Sequence, residues 1–195
     1  MKKRTKSQLA ILKAAKDCFW KFGINKVTVE EIADTAGVSK MTFYRNFANK
    51  KEVAEIVLME IIADGEDSFD AIMRKEIDFP HKLKELVLLE HEYSRGISQE
   101  FINDIINNQD QDLQLIIDKA NQRGQEKLIV QLKTAQREGW VRKDLHFPFL
   151  IYMMNDINHM LSDEKLVAMY ASTEDLIMEI VNFFFYGIVA PERLK

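Results

Sequence analysis

Apolar residues recur at steps of three and four along almost the whole chain, the spacing that places them on one face of a helix. In residues 7–22 the face is Ile11, Leu12, Ala15, Cys18, Phe19 and Phe22, with Lys13, Lys16, Asp17 and Lys21 opposite, and Gly23 stops the helix. Thr28-Val29-Glu30-Glu31 is a capping box, the Thr28 hydroxyl meeting the third helical N–H and Glu31 reaching back. It opens a short helix through Ile32, Ala33 and Ala36. Gly37-Val38 makes a tight turn, and Ser39 caps another short helix to about Phe47. Asn49 caps the next, which runs through Val53, Ile56, Val57, Glu60 and Ile61. Further helices are predicted at about 80–93, 99–107, 110–138, 148–161, 163–170 and 174–189, with Pro80 and Pro148 in first turns, where a missing N–H costs nothing. Gly139-Trp140 ends the longest, and Gly124 either bends it or only lowers its stability. Sustained alternation is missing, and no Asn-Gly or Asp-Gly turn lies between β-branched runs. The pattern predicts an all-α chain of about nine helices.

Composition sharpens this picture. The 195 residues make one large domain or two small ones, and 47% apolar content with seven Gly and three Pro gives a sizeable core rather than a disordered or collagen-like chain. The single Cys18 excludes an intramolecular disulfide framework and fits a reducing compartment. The longest near-apolar run, 180–190, is interrupted by Asn182 and falls short of the ~20 residues a membrane span needs. Lys2, Lys3 and Arg4 begin like a signal peptide, but Lys13 and Lys16 break any following hydrophobic segment. A soluble cytoplasmic protein is expected.

Charge is distributed unevenly. Residues 1–51 hold twelve basic and four acidic side chains, net +8, whereas the other 144 hold fifteen basic and twenty-seven acidic, net −12. A basic first quarter suits a polyanion and an acidic remainder repels one. A solvated helix surface would explain the same charges, so placement has to decide.

Residues 28–47 read as helix, glycine-containing turn, helix, the shape in which a second helix enters the major groove of DNA while the first crosses the backbone. In the second helix Phe43 and Phe47 point inward with Val38 beneath, and the opposite arc carries Met41, Thr42, Tyr44 and Arg45, with Lys40 at the N-terminal tip. Thr42 or Met41 can touch a thymine methyl, and Arg45 or Lys40 can reach a guanine edge or a phosphate. Tyr44, Thr28 and Lys50 are placed for phosphate, and the N-termini of both short helices add backbone N–H donors. An ordinary helical hairpin would share the shape. Here, however, the outward arc lacks acidic residues in a chain rich in them, and the basic excess falls in this segment.

The tract Ile11-Leu12-Lys13-Ala14-Ala15, then Phe19, Phe22-Gly23, Thr28-Val29-Glu30-Glu31-Ile32-Ala33 and the ungapped run from Ala36-Gly37-Val38-Ser39 through Lys50-Lys51-Glu52 resembles the N-terminal domain of TetR-family transcriptional regulators. The resemblance covers about residues 7–55, and the remaining three-quarters agrees only in length and helix content. It implies a three-helix helix-turn-helix DNA-binding domain at residues 1–50 and a larger helical domain at 51–195 that dimerises and binds an effector. It implies base or backbone contacts for Ser39, Lys40, Met41, Thr42, Tyr44, Arg45 and Asn46, and phosphate contacts for Thr28 and Lys50. Met41 stands where a smaller residue is more usual, which leaves the operator sequence open.

Two late helices carry broad apolar stripes: Phe149, Leu150, Met153, Ile157, Met160 and Leu161 in 148–161, and Ile177, Ile180, Val181, Phe183, Phe184, Gly187 and Ile188 in 174–189. Such stripes serve an ordinary core or a four-helix interface, and the resemblance points to the latter, a homodimer through these two helices. The middle helices should frame the effector pocket. Met59, Met73, Met153, Met154, Met160, Met169 and Met178 suit core filling or an adaptable apolar pocket, so the expectation is an effector of unknown identity and apolar character. Asp156, with Tyr152 and His159 on its side, and Glu90-His91-Glu92 are weak candidates for ligand contact. Enzyme chemistry finds little support: there is no Gly-rich phosphate loop, no Gly-x-Ser-x-Gly and no zinc spacing, and Asp78-x-x-His81 with Asp156-x-x-His159 only faintly suggests a di-metal bundle. The chain therefore reads as a DNA-binding repressor, not an enzyme, with no cofactor and no metal.

Overall fold

The computed structural model describes residues 4–107 and 110–189, and among these the fold is all-α. The helices are α1 (Lys6–Phe22), α2 (Val29–Thr35), α3 (Lys40–Asn46), α4 (Lys50–Met73), α5 (Phe79–Ser94), α6 (Gln99–Ile106), α7 (Gln111–Arg137), α8 (Phe147–Ser162), α9 (Glu164–Val167) and α10 (Thr173–Ile188). Ten helices occur among the described residues against a stated total of about nine, one in each span that the spacing marked, and the span 163–170 is helical only over the single turn α9. The only β-type pairing among the described residues is an isolated bridge between Val141 and Val189. α4 continues a full three turns past the last apolar position that marked it in the sequence, because Gly65 and the polar residues after it stay helical. Gly124 lies within an uninterrupted α7. No helix among the described residues is long and apolar enough to cross a membrane.

The chain packs as two units, Met1–Asp64 with Gly96–Ile117, and Gly65–Arg95 with Asp118–Lys195. In the first, Ile11, Ala15, Phe19, Ile32, Phe43, Val53 and Val57 are fully enclosed, and Phe101 of α6 and Leu113 of α7 complete the core. Burying an aromatic such as Phe43 is worth roughly 1.5–3 kcal/mol, so the short α2 and α3 are held by their packing rather than by helix propensity. In the second, Leu132, Val141, Leu150, Leu83, Leu86 and Ile188 form a separate core. There α5 packs along α10, and His91 of α5 reaches Glu174 of α10 at 3.3 Å.

The expected caps are present. Thr28 Oγ1 accepts from the Glu31 N–H at 3.2 Å while Glu31 accepts from the Thr28 N–H at 2.8 Å. Asp78 caps α5 by accepting from the His81 N–H at 3.0 Å and its carboxylate sits 2.5 Å from His81 Nδ1. The Asp78-x-x-His81 spacing is therefore a helix cap, and no group of three or more metal-ligating side chains occurs among the described residues.

Candidate nucleic-acid interface

The turn between α2 and α3 is fixed by backbone. Gly37 has φ +66, which L side chains rarely adopt, and its N–H and that of Val38 donate to Asp34 O and Ala33 O at 3.1 and 3.0 Å, closing α2. Ser39 then caps α3, its hydroxyl accepting from the Thr42 N–H at 3.1 Å and lying 3.0 Å from the Thr42 hydroxyl. Phe43 is wholly buried, its ring 6.0 Å from Phe47 and 5.5 Å, edge-on, from Tyr44. With Phe43 locked, the rotation of α3 is set, and the opposite side faces water: Met41 is 81% and Tyr44 49% exposed, and Arg45 and Lys40 are exposed beside them.

Each residue singled out in the sequence has a definite setting. Thr28 Oγ1, besides accepting from the Glu31 N–H, donates to the Glu31 carboxylate at 2.8 Å, and the Thr28 backbone N–H first, with this hydroxyl second, holds that carboxyl below its usual range. Asn46 turns its amide back, donating to Thr42 O at 2.7 Å. Lys40 pairs with Glu30 of α2, an interaction that raises the Lys40 pKa and lowers that of Glu30, the hydrogen bond between them being the main cause for both. The outward arc of α3 is free of acidic residues along its own helix, but the fold brings Glu30 across to it, a contact ten residues apart that no single-helix pattern displays.

Lys50 has a setting that the spacing did not suggest. Its ammonium donates to Ile24 O at 2.8 Å, Asn25 O at 3.0 Å and Val27 O at 2.7 Å, which engages all three of its N–H groups. Partial burial there pushes its pKa down. The same loop is held from its other side by α6: Asp104 accepts from the Asn25 N–H at 2.9 Å and from its amide at 2.6 Å, and Glu100 pairs with Lys26 at 3.0 Å. Gly23, at φ +84, lets α6 approach, since a Cβ there would lie 2.7 Å from the Asp104 carboxylate and 3.2 Å from the Glu100 backbone. The Ser98 N–H donates to Trp20 O at 3.0 Å, and the Trp20 and Phe101 rings meet at a tilt of 42° with centroids 5.1 Å apart. Nearby, Lys51 joins α4 to the start of α7 through Asp110 at 2.8 Å and Asp112 at 2.6 Å, which raises the Lys51 pKa strongly. Sequence reasoning assigned α6 no part in this region. The glycine at 23 and the acids at 100 and 104 were the visible signals, but they are some eighty positions apart.

Three comparisons bear on this geometry. Residues 11–57 match the family model described as bacterial regulatory proteins, tetR family. An uncharacterized HTH-type transcriptional regulator of Mycobacterium tuberculosis is 41% identical over 54 residues, covering 28% of this chain and 29% of that protein. The chain thus matches less than a third of that relative's length. Among solved structures, a fatty acid degradation regulator, FadR, from Bacillus halodurans superposes with a TM-score of 0.71 at 19% identity, covering 95% of this chain and 98% of that one. SmeT, the repressor of a Stenotrophomonas maltophilia multidrug efflux pump, gives 0.65 at 16% identity, covering 96% and 94%. At these identities the likeness is one of fold.

Proposed function

We propose that this chain, whose residues 11–57 match the tetR family of bacterial regulatory proteins, acts as a homodimeric, cytoplasmic repressor of that family, leaving a pseudo-palindromic operator when a small-molecule effector binds. The carrying observation is the outward side of α3, where Met41, Tyr44 and Arg45 stand in solvent while Phe43 fixes the helix from behind. On this reading residues 1–50 bind DNA and residues 51–195 bind the effector and dimerise. Lys40, Met41, Thr42 and Arg45 face base edges, while Thr28, Ser39, Tyr44 and Asn46 meet the backbone. Lys50 serves the same interface by fixing the Ile24–Val27 turn from which α2 starts. The protein is a transcriptional regulator rather than an enzyme.

Dimerisation through α8 and α10 is supported by what those helices leave uncovered. Phe149 and Tyr152 of α8 and Phe183 and Tyr186 of α10 are between 56% and 73% exposed, and a Cβ on Gly187 would meet open space. Large aromatic surface of this kind marks an interaction face. A two-fold dimer presents its recognition helices about 34–36 Å apart, or a multiple of that. The effector, for which an apolar molecule is the simplest expectation, favours a dimer state whose spacing misses the half-sites, with coupling of about 1–3 kcal/mol. α4, which starts at the Lys50 anchor and runs to Met73, is the lever.

The test is binding to duplex DNA by the full chain and two variants. Tyr44→Ala should weaken binding to all sequences alike, and Arg45→Ala should in addition relax preference at one or two positions. Unchanged affinity in Tyr44→Ala would remove α3 from the interface.

A further inference from the structure

The outward side chains of α3 differ in how much of their bonding capacity the protein itself engages. The Lys40 ammonium is paired with Glu30, so part of its donor capacity and much of its charge are answered within the fold. The Thr42 and Ser39 hydroxyls lie 3.0 Å apart and bond to each other, and Ser39 also accepts from the Thr42 N–H. Asn46 gives its amide to Thr42 O at 2.7 Å. Two residues stand apart from these. Arg45 is exposed and, among the described residues, has no hydrogen-bond or ion-pair partner, which leaves all the N–H groups of its guanidinium open. Met41 is 81% exposed, more than any other large apolar side chain among the described residues.

Met41 and Arg45 are four residues apart, so at about 100° and about 1.5 Å per residue they lie about 40° and about 6 Å apart on one face of α3. That distance spans about two base-pair steps of a duplex, whose rise is about 3.4 Å. In the major groove an open guanidinium meets guanine O6 and N7 together, and an uncovered apolar side chain meets the methyl group of thymine. We propose that Arg45 and Met41 set the operator sequence, Arg45 selecting a guanine and Met41 a thymine within about three base pairs of it in each half-site. This rests on the reading of α3 as a recognition helix and specifies the sequence class of its DNA. Lys40, held by Glu30, and Thr42, held by Ser39, add contact without deciding the base.

The test begins with selection from a randomised duplex library by the full chain and by Met41→Ala, Arg45→Ala and Lys40→Ala. The duplex enriched by the wild type is then titrated with deoxyuridine in place of the thymine, or deazaguanine, which has carbon in place of N7, in place of the guanine. Both assigned side chains are exposed, so their variants should unfold at the wild-type temperature. Arg45→Ala should lose preference at one guanine and Met41→Ala at one thymine, while Lys40→Ala keeps both. Deoxyuridine, which lacks only the methyl group, should weaken the wild type by about 3–5-fold and Met41→Ala not at all. Deazaguanine should weaken the wild type by about 5–50-fold and Arg45→Ala not at all. A base other than guanine lost with Arg45, a guanine lost with Lys40 instead, or equal deoxyuridine sensitivity in the wild type and Met41→Ala would each overturn the assignment while leaving α3 as the reading helix. Failure of the wild type to enrich any duplex at low salt would reject DNA binding itself, and the assignment with it.

Discussion

Replacing Lys50 by Met keeps most of the side chain's apolar length and removes its ammonium, so the Ile24–Val27 turn loses its anchor. The three carbonyls lost are not equivalent. Asn25 O is exposed and exchanges the ammonium for water at little cost, whereas the bonds to Ile24 O and Val27 O are partly buried. Two such bonds at about 1–1.5 kcal/mol each predict a loss of about 2–3 kcal/mol of stability, measurable by urea denaturation. The loosened turn carries the start of α2, so affinity for DNA should fall across all sequences. The number of phosphates neutralised stays the same, however, because the ammonium is engaged within the protein. The slope of log affinity against log salt should therefore be that of the wild type. A direct phosphate contact would instead reduce that slope by about 0.9. A slope reduced by that amount, with stability unchanged, would refute the anchoring role of Lys50.

Other consequences follow from the same geometry. Glu30→Gln releases Lys40 from its acidic partner, so DNA affinity at low salt should rise roughly 2–5-fold and the salt slope should steepen by about 1 in a filter-binding titration. Gly23→Ala forces a Cβ to within 2.7 Å of Asp104 at a φ of +84, and thermal unfolding should show a lower Tm together with loss of protection in the Ile24–Val27 turn by hydrogen exchange. Glu90 has a folded-state pKa raised above its unfolded value, so its contribution is fully present at pH below the unfolded pKa and is lost as pH rises through the folded pKa. Glu90→Gln should accordingly raise the Tm at pH 8 and leave it nearly unchanged at pH 4, as differential scanning fluorimetry would show.

Much of the fold was legible because it is written in local spacing. The capping box at Thr28, the cap at Ser39, the turn at Gly37 and the inward pair Phe43 and Phe47 each depend on residues at most eight apart, and all occur where the pattern predicts them. What the sequence concealed is carried by contacts between distant segments. Glu30 meets Lys40 across a turn, Lys50 folds back over more than twenty positions to three carbonyls, and Asp104 reaches Asn25 across 79. No periodicity encodes such pairings, because any acid or amine on an exposed arc looks the same until the fold chooses its neighbour.

The central claim is that α3 reads DNA as one half of a symmetric pair. Selection of bound fragments from a randomised duplex library by the purified protein, at two salt concentrations, tests it most directly. The account predicts enrichment of a single pseudo-palindrome whose half-sites lie about one helical turn apart, or a multiple of it, with affinity falling steeply as salt rises. Absence of enrichment at low salt, with and without added cell extract to supply a missing effector, would contradict it.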